Sequence, residues 1–229
     1  MSQLSQLCII GDGAVGKSSA IQAFRTEGFT PVYKQTIGID FYEKKLSLPG
    51  NTSISLRVWD IGGQSLNSKS LAQYLASTDA IFMVYDITNS ESFNNLNDWL
   101  LNIKKYATNV KYIYVVGNKI DLINLRQVTA EAHEQFVQEN KLNGSLWMSA
   151  KTGENVVKAF YIVSGDLAGV KLTSYDLSFH DKVLKAYIHK DKDDETEART
   201  AWADQIEAED RAAEERKRLS EAGQCCILA

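Results

Sequence analysis

Near the start of the chain, Gly11-Asp-Gly-Ala-Val-Gly16-Lys17-Ser18 sets three glycines around a lysine and a hydroxyl. Glycines let successive main-chain N–H groups turn inward onto an anion, and a helix starting at the same place adds its positive end. Lys17 supplies charge for β- and γ-phosphates, and the Ser18 hydroxyl suits a hard cation such as magnesium. The loop residues Gly13, Ala14, Val15, Gly16, Lys17, Ser18 and Ser19 are therefore expected to line the phosphates of a nucleotide. The spacing alone says nucleotide hydrolase or kinase and does not name the base.

Three later segments carry polar groups at the ends of apolar runs. Asn118-Lys119-Ile-Asp121 follows a run over 112–117, Ser149-Ala150-Lys151 lies further on, and Trp59-Asp60-Ile-Gly-Gly63-Gln64 closes another run. An aspartate at position 121 can accept two hydrogen bonds from the N1–H and amino group of guanine, a donor pair that adenine lacks. In this order behind a phosphate loop, the segments resemble those of Ras-like GTPases.

The resemblance implies roles for particular residues. Asn118, Lys119 and Asp121, with the main chain of Ser149, Ala150 and Lys151, would hold guanine. Asp60 would hold magnesium through water, with Ser18 and Thr36 as its other protein contacts. The Gly63 N–H would sense the γ-phosphate, and Gln64 would orient the attacking water, beside Lys17 as the second catalytic group. Phe29 would pack against the guanine edge. A minimal side chain at Gly13 leaves room for an arginine from outside, so hydrolysis is expected to be slow until a partner supplies one.

Within that family, 37–41, 59–64 and 84–88 are similar to Rab proteins, and 33–41 with Leu48-Pro-Gly and the Ile61-Gly62 pair is similar to the divergent Rab subgroup numbered twenty-eight. Ile61-Gly62 and Ser65-Leu66-Asn67 depart from the usual Rab pattern, which bears on docking partners rather than on nucleotide. The resemblance implies exchange factors, GTPase-activating proteins and effectors at the two switch regions, and a role in vesicle, endosomal or ciliary membrane traffic.

The elements that must position these residues are legible as periodicity. Short apolar runs at 7–10, 53–59, 80–85 and 112–116 alternate with helical spacing at 20–25, 91–106, 129–140 and 153–169. Such alternation predicts a mainly parallel sheet wrapped by helices. A looser run over 41–48, joined to the next by Leu48-Pro-Gly-Asn-Thr, predicts a hairpin and one antiparallel edge strand. The resemblance implies the α/β P-loop GTPase fold, a six-stranded mainly parallel sheet with helices on both faces. A nucleotide-binding domain is expected over 1–172, with an amphipathic helical extension over 173–189 and a charged tail over 190–229.

The chain has 229 residues, 44% of them hydrophobic, and a formal charge of −4. No overall basic field favours nucleic acid. Residues 190–221 hold seven Lys/Arg against twelve Asp/Glu, a net of −5, so the acidity belongs to the tail and the rest stands at +1. That composition predicts a solvated helix or a disordered spacer, with a weak coiled coil as the alternative. Upstream, Phe179, Val183, Leu184, Tyr187 and Ile188 form one apolar helical stripe, suited to packing back on the domain or to a partner.

Three cysteines without framework spacing fit a reducing cytosol, and no apolar run approaches the ~20 residues that span a bilayer. The ending Cys225-Cys226-Ile-Leu-Ala229 places Cys226 at the prenylated position of a C-a-a-X box. A terminal Ala leans toward farnesyl, and two geranylgeranyl groups remain the alternative. Cys225 could carry a second lipid, and Arg216-Lys217-Arg218 could meet anionic lipid at the cytosolic face of a membrane. The expected molecule is a monomeric switch cycling between GTP and GDP with Mg2+. A nucleotide kinase lacks its arginine-rich lid here, and a nearly inactive tether acting through its tail sits poorly with Gly13, Thr36 and Gln64.

Overall fold

Strand β4, Ala80–Asp86, is buried at all seven positions, because a central parallel strand has a helical layer on each face. The computed structural model describes residues 3–25, 39–63 and 69–178, which belong to one compact unit. Around β4 lie β1 (Gln3–Ile10), β2 (Ile39–Leu48), β3 (Thr52–Ile61), β5 (Tyr112–Asn118) and β6 (Gly144–Trp147), in the order β2-β3-β1-β4-β5-β6. All neighbouring pairs are parallel except β2 and β3, where Phe41 faces Trp59 and Leu48 faces Thr52. The expected six-stranded sheet with one antiparallel edge strand is the one observed.

Alternation along the strands divides the interior in two. Leu7, Ile9, Phe82, Val84, Tyr114 and Val116 point to one face, where α1 (Lys17–Phe24) and α6 (Val156–Ala168) cover them, with Phe24 stacked on Phe160 at 4.0 Å. Cys8, Ile10, Ile81, Met83, Tyr85 and Val115 point to the other. There α2 (Lys69–Ala76), α3 (Ser90–Asn94), α4 (Leu96–Tyr106) and α5 (Ala130–Glu139) pack. Burying each such side chain contributes about 1.5–3 kcal/mol. Along most of β3 one face is covered fully and the other only in part, so Ile54, Leu56 and Val58 are buried while Ser55, Arg57 and Trp59 are half-exposed, until Ile61 at its end is buried in the second layer.

Three elements differ from the periodicity. The helix expected over 91–106 is interrupted at Asn95, although its main chain stays helical and Asn95 N–H still bonds to the Glu91 carbonyl at 2.9 Å. Helix α2 is not among the elements predicted above, although Leu71, Tyr74 and Leu75 carry helical spacing; Leu71 and Leu75 are fully buried. Strand β6 gives no apolar run of its own, because its four residues are all half-buried and only Leu146 and Trp147 are apolar. Helix boundaries otherwise tighten to their caps: Thr129 Oγ1 accepts from Ala132 N–H, and Gly169 ends α6 in a left-handed conformation at φ 69°. Of the extension expected over 173–189, residues 174–178 are helical, opened by Thr173 and Asp176 bonding each other in a capping pattern. The apolar stripe from Phe179 onward and the whole charged tail lie outside the described residues.

Candidate functional site

The sheet reverses its winding at β1, whose neighbours are β3 on one side and β4 on the other. Loops leaving the carboxyl ends of strands on the two sides of such a point diverge and form a crevice. The sequence places 11–16 after β1, 62–63 after β3 and 119–121 after β5, so all three polar segments reach the same edge.

The phosphate loop is held by contacts that leave its outer face open. Gly16 stands at the head of α1 with φ 97°, and a Cβ there would lie 2.3 Å from Asn118 Nδ2. Only glycine combines that conformation with that approach. Gly16, the N-cap residue of α1, has no side chain with which to cap the helix. Gly13 and Ala14 are exposed, Val15 is buried, and Ser19 is half-buried.

Lys17 Nζ donates to the carbonyls of Gly11 at 2.7 Å and Asp12 at 2.6 Å, drawing the side chain back across the loop. The residue is buried, and desolvation lowers its pKa to about 8, while the nearby carboxylates of Asp60 and Asp12 oppose the drop. Beside it, Ser18 Oγ donates to Asp60 Oδ2 at 2.5 Å, on the rim of a recess lined by Gln22, Arg25, Asp40 and Tyr42. A hydroxyl and a carboxylate at that spacing form a hard-oxygen donor set that fits magnesium. Gly63 closes the group: a Cβ on it would lie 2.2 Å from Gly13 N, so the main chain after β3 rests directly on the phosphate loop.

The base segments join this cradle through one side chain. Fully buried Asn118 donates from Nδ2 to the Val15 carbonyl at 2.7 Å and accepts at Oδ1 from Ala150 N–H at 3.0 Å. It thereby ties the phosphate loop to both segments expected to hold guanine. Asp121 Oδ1 accepts from Ser149 Oγ at 2.7 Å, and Ser149 Oγ in turn accepts from Thr152 N–H at 3.1 Å. Lys151 Nζ stands 4.0 Å from Asp121 Oδ2. Lys119 has φ 68° and pairs its ammonium with Asp86 Oδ2 at 2.6 Å.

Asp12 and Asp86 were not among the expected site residues. Asp86 holds Lys119 and also accepts from Thr88 N–H and Oγ1. Asp12 accepts from Asn95 and Trp99 of the interrupted helix. These are contacts over 83 and 87 positions that no local spacing reveals. Phe29, Thr36, Gln64, Cys225 and Cys226 lie outside the described residues.

A glycine-rich strand-loop-helix turn, bolted through Asn118 to the segments that carry Asp121 and Ala150, is the architecture of a small guanine-nucleotide-binding protein. The Ras family model matches residues 6–168, and the chain belongs to the Ras family of GTP-hydrolysing small GTPases. Its similarities point to the Rab branch. The chain is 36% identical over 187 residues to the Ras-related protein Rab-28 of Caenorhabditis elegans, covering 80% of this chain and 75% of that one. It is 37% identical over 173 residues to the Ras-related protein Rab-1 of Theileria annulata, covering 75% and 77%. The GTP-binding protein ypt2 of Schizosaccharomyces pombe is 34% identical over 169 residues, covering 74% and 84%.

Proposed function

We propose that this Rab-like GTPase is a two-state switch in membrane traffic, whose output is the shape of the loops around Thr36 and Gly63 rather than the phosphate it releases. The observation that supports this reading is the double bridge of Asn118, which ties the glycine-rich loop at Val15 to the segment of Ala150. In this reading, Asp121 accepts from the guanine N1–H and amino group, with Ser149, Ala150 and Lys151 around it. Lys17 moves from its carbonyl partners to the β- and γ-phosphates. Ser18 and Thr36, with Asp60 through water, would hold Mg2+, which would neutralise charge on the phosphate oxygens. Phe29 covers the base edge.

Gly63 rests on Gly13, so its N–H is suited to report a γ-phosphate lying over the loop. Effector contact falls on the neighbouring surface, where Phe41, Trp59 and Tyr74 form an aromatic row at 5.3 and 4.9 Å between centroids. Phe41 is 56% exposed, more than a residue in a closed core would be. Exchange factors and activating proteins act on the same two loops.

Intrinsic hydrolysis is slow, since the phosphate loop carries no arginine and Gly13 leaves space for one from outside. Replacing Gln64 with Leu is expected to leave nucleotide affinity intact and to abolish partner-stimulated hydrolysis. Single-turnover assays with an activating partner present check this, and equal rates for the two proteins would exclude Gln64 from positioning water.

The nucleotide-binding domain over 1–172, the extension over 173–189 and the tail over 190–229 separate switching from anchoring. Cys226 carries the prenyl group and Cys225 or the Arg216-Lys217-Arg218 cluster adds the second attachment that a single lipid requires. Endosomal or ciliary membranes on their cytosolic face are the destination this reading favours. Mass spectrometry of the cellular C-terminus checks the anchor: an unmodified Cys226 with Ala229 still present would exclude it.

A further inference from the structure

Asp12 has no part in the roles assigned above, yet its side chain and main chain meet three parts of the site. Its carboxylate accepts from Asn95 Nδ2 at 2.7 Å on Oδ2 and from Trp99 Nε1 at 2.9 Å on Oδ1. The two donors are four residues apart and so share one helical face. Trp99 is fully buried, and its indole N–H is satisfied by this carboxylate. Both bonds are charge-assisted, the stronger class of hydrogen bond.

The main chain of the same residue faces the chemistry. The Asp12 carbonyl receives Lys17 Nζ at 2.6 Å. A Cβ on Gly63 would come within 2.4 Å of the Asp12 carbonyl carbon and 2.2 Å of Gly13 N. The phosphate loop therefore meets Gly63 at the peptide that the Asp12 side chain fastens to the joint between α3 and α4.

We propose that Asp12 is a positioning residue whose carboxylate, through Asn95 and Trp99, fixes the height of the phosphate loop against Gly63 and so sets the preference for GTP over GDP. The inference rests on the proposed role of Gly63 as sensor of the γ-phosphate. Any loop height serves the α- and β-phosphates, because they ride on the loop itself. The γ-phosphate must also reach Gly63, which lies in the segment after a different strand, β3. Loss of the pin thus weakens the GTP complex more than the GDP complex.

The test measures equilibrium affinity of the full chain, with Mg2+, for GDP and for a non-hydrolysable GTP analogue. Asp12→Ala is expected to lose on the order of tenfold more affinity for the analogue than for GDP. Asn95→Ala should lose part of that ratio, and the two changes combined should lose no more than Asp12→Ala alone. Asp12→Asn combined with Asn95→Asp reverses the donor and acceptor of one bond while keeping a carbonyl oxygen for Trp99, and is expected to restore the ratio. If Asp12→Ala does not fold, Asn95→Ala and the reversed pair carry the test. An unchanged ratio in Asn95→Ala and in Asp12→Ala, or failure of the reversed pair to restore it, overturns the proposal while the guanine-switch reading stands. A wild-type chain that binds neither nucleotide takes both down.

Discussion

Changing Asp121 to Asn is expected to turn the protein from GTP toward xanthosine triphosphate. The carboxylate is only 13% exposed, and Ser149 Oγ occupies one of its lone pairs at 2.7 Å, which fixes its orientation. The remaining lone pairs are those available to a base. Guanine offers two donors, N1–H and the amino group, and an amide at position 121 would oppose one of them with a donor of its own. Xanthine carries a carbonyl in place of the amino group and accepts that hydrogen. Hydrogen bonds to a charged group contribute about 1.5–3 kcal/mol each, so losing one and leaving the other to a neutral oxygen should weaken GTP by roughly tenfold to a thousandfold. Competition between the two nucleotides against a labelled GDP complex reads the result. Unchanged guanine preference would remove Asp121 from the base pocket.

The second large effect concerns Lys17. Its replacement by Ala should weaken GTP on the order of a thousandfold, since the phosphates lose a buried cation with two charge-assisted bonds. The pH profile makes this specific. Without nucleotide the ammonium has a pKa near 8, below its ordinary 10.5, because burial disfavours the charge. Bound phosphates would favour the charged form and raise that value. Below about pH 8 the lysine is charged with or without nucleotide, and affinity does not depend on its proton. Above that value binding must take up a proton, so affinity falls as pH rises, approaching tenfold per unit, until the pKa of the complex is reached. The nucleotide titrates alike with both proteins, so the difference between the wild-type and Lys17→Ala profiles isolates this group. Parallel profiles would mean that Lys17 does not change its charge environment on binding.

How far the site could be read from sequence depended on whether the chemistry is local. The phosphate loop spans eight residues, and its glycines, lysine and serine declare themselves by type and spacing. The hairpin of β2 and β3 was legible for the same reason, because a turn and two flanking runs lie side by side. Asn118 is different: its partners Val15 and Ala150 lie 103 and 32 positions away, and its bridge is a product of sheet order. The family resemblance, and not the spacing, pointed to it.

Asp12 was hidden altogether, since nothing near it suggests a tryptophan 87 residues on. The interruption of the helix at Asn95 stands at the same contact, while residues 91–106 read alone predict an unbroken helix. Strand β6 was obscured because parallel pairing with β5 gives it structure that four residues could not acquire by themselves. The described loops place Ser18, Asp60 and Gly63 together but stop short of Thr36 and Gln64, so those two assignments rest on the family pattern.

The sheet also partitions the interior, and that bears on how errors combine in a library of random variants. Loosening the Phe24–Phe160 stack disturbs one layer, while altering Trp99 or the group of Tyr85, His133 and Trp147 disturbs the other. Distant substitutions without shared neighbours have additive costs. Variants damaged in both layers should therefore lose stability by the sum of the two separate costs, while direct repacking around a defect should arise within its own layer. The phosphate loop escapes this independence. It leaves Ile10, which belongs to one layer, and returns through Val15, which belongs to the other. Damage to either layer thus reaches the loop, and nucleotide retention during purification would sort a library for integrity of both at once.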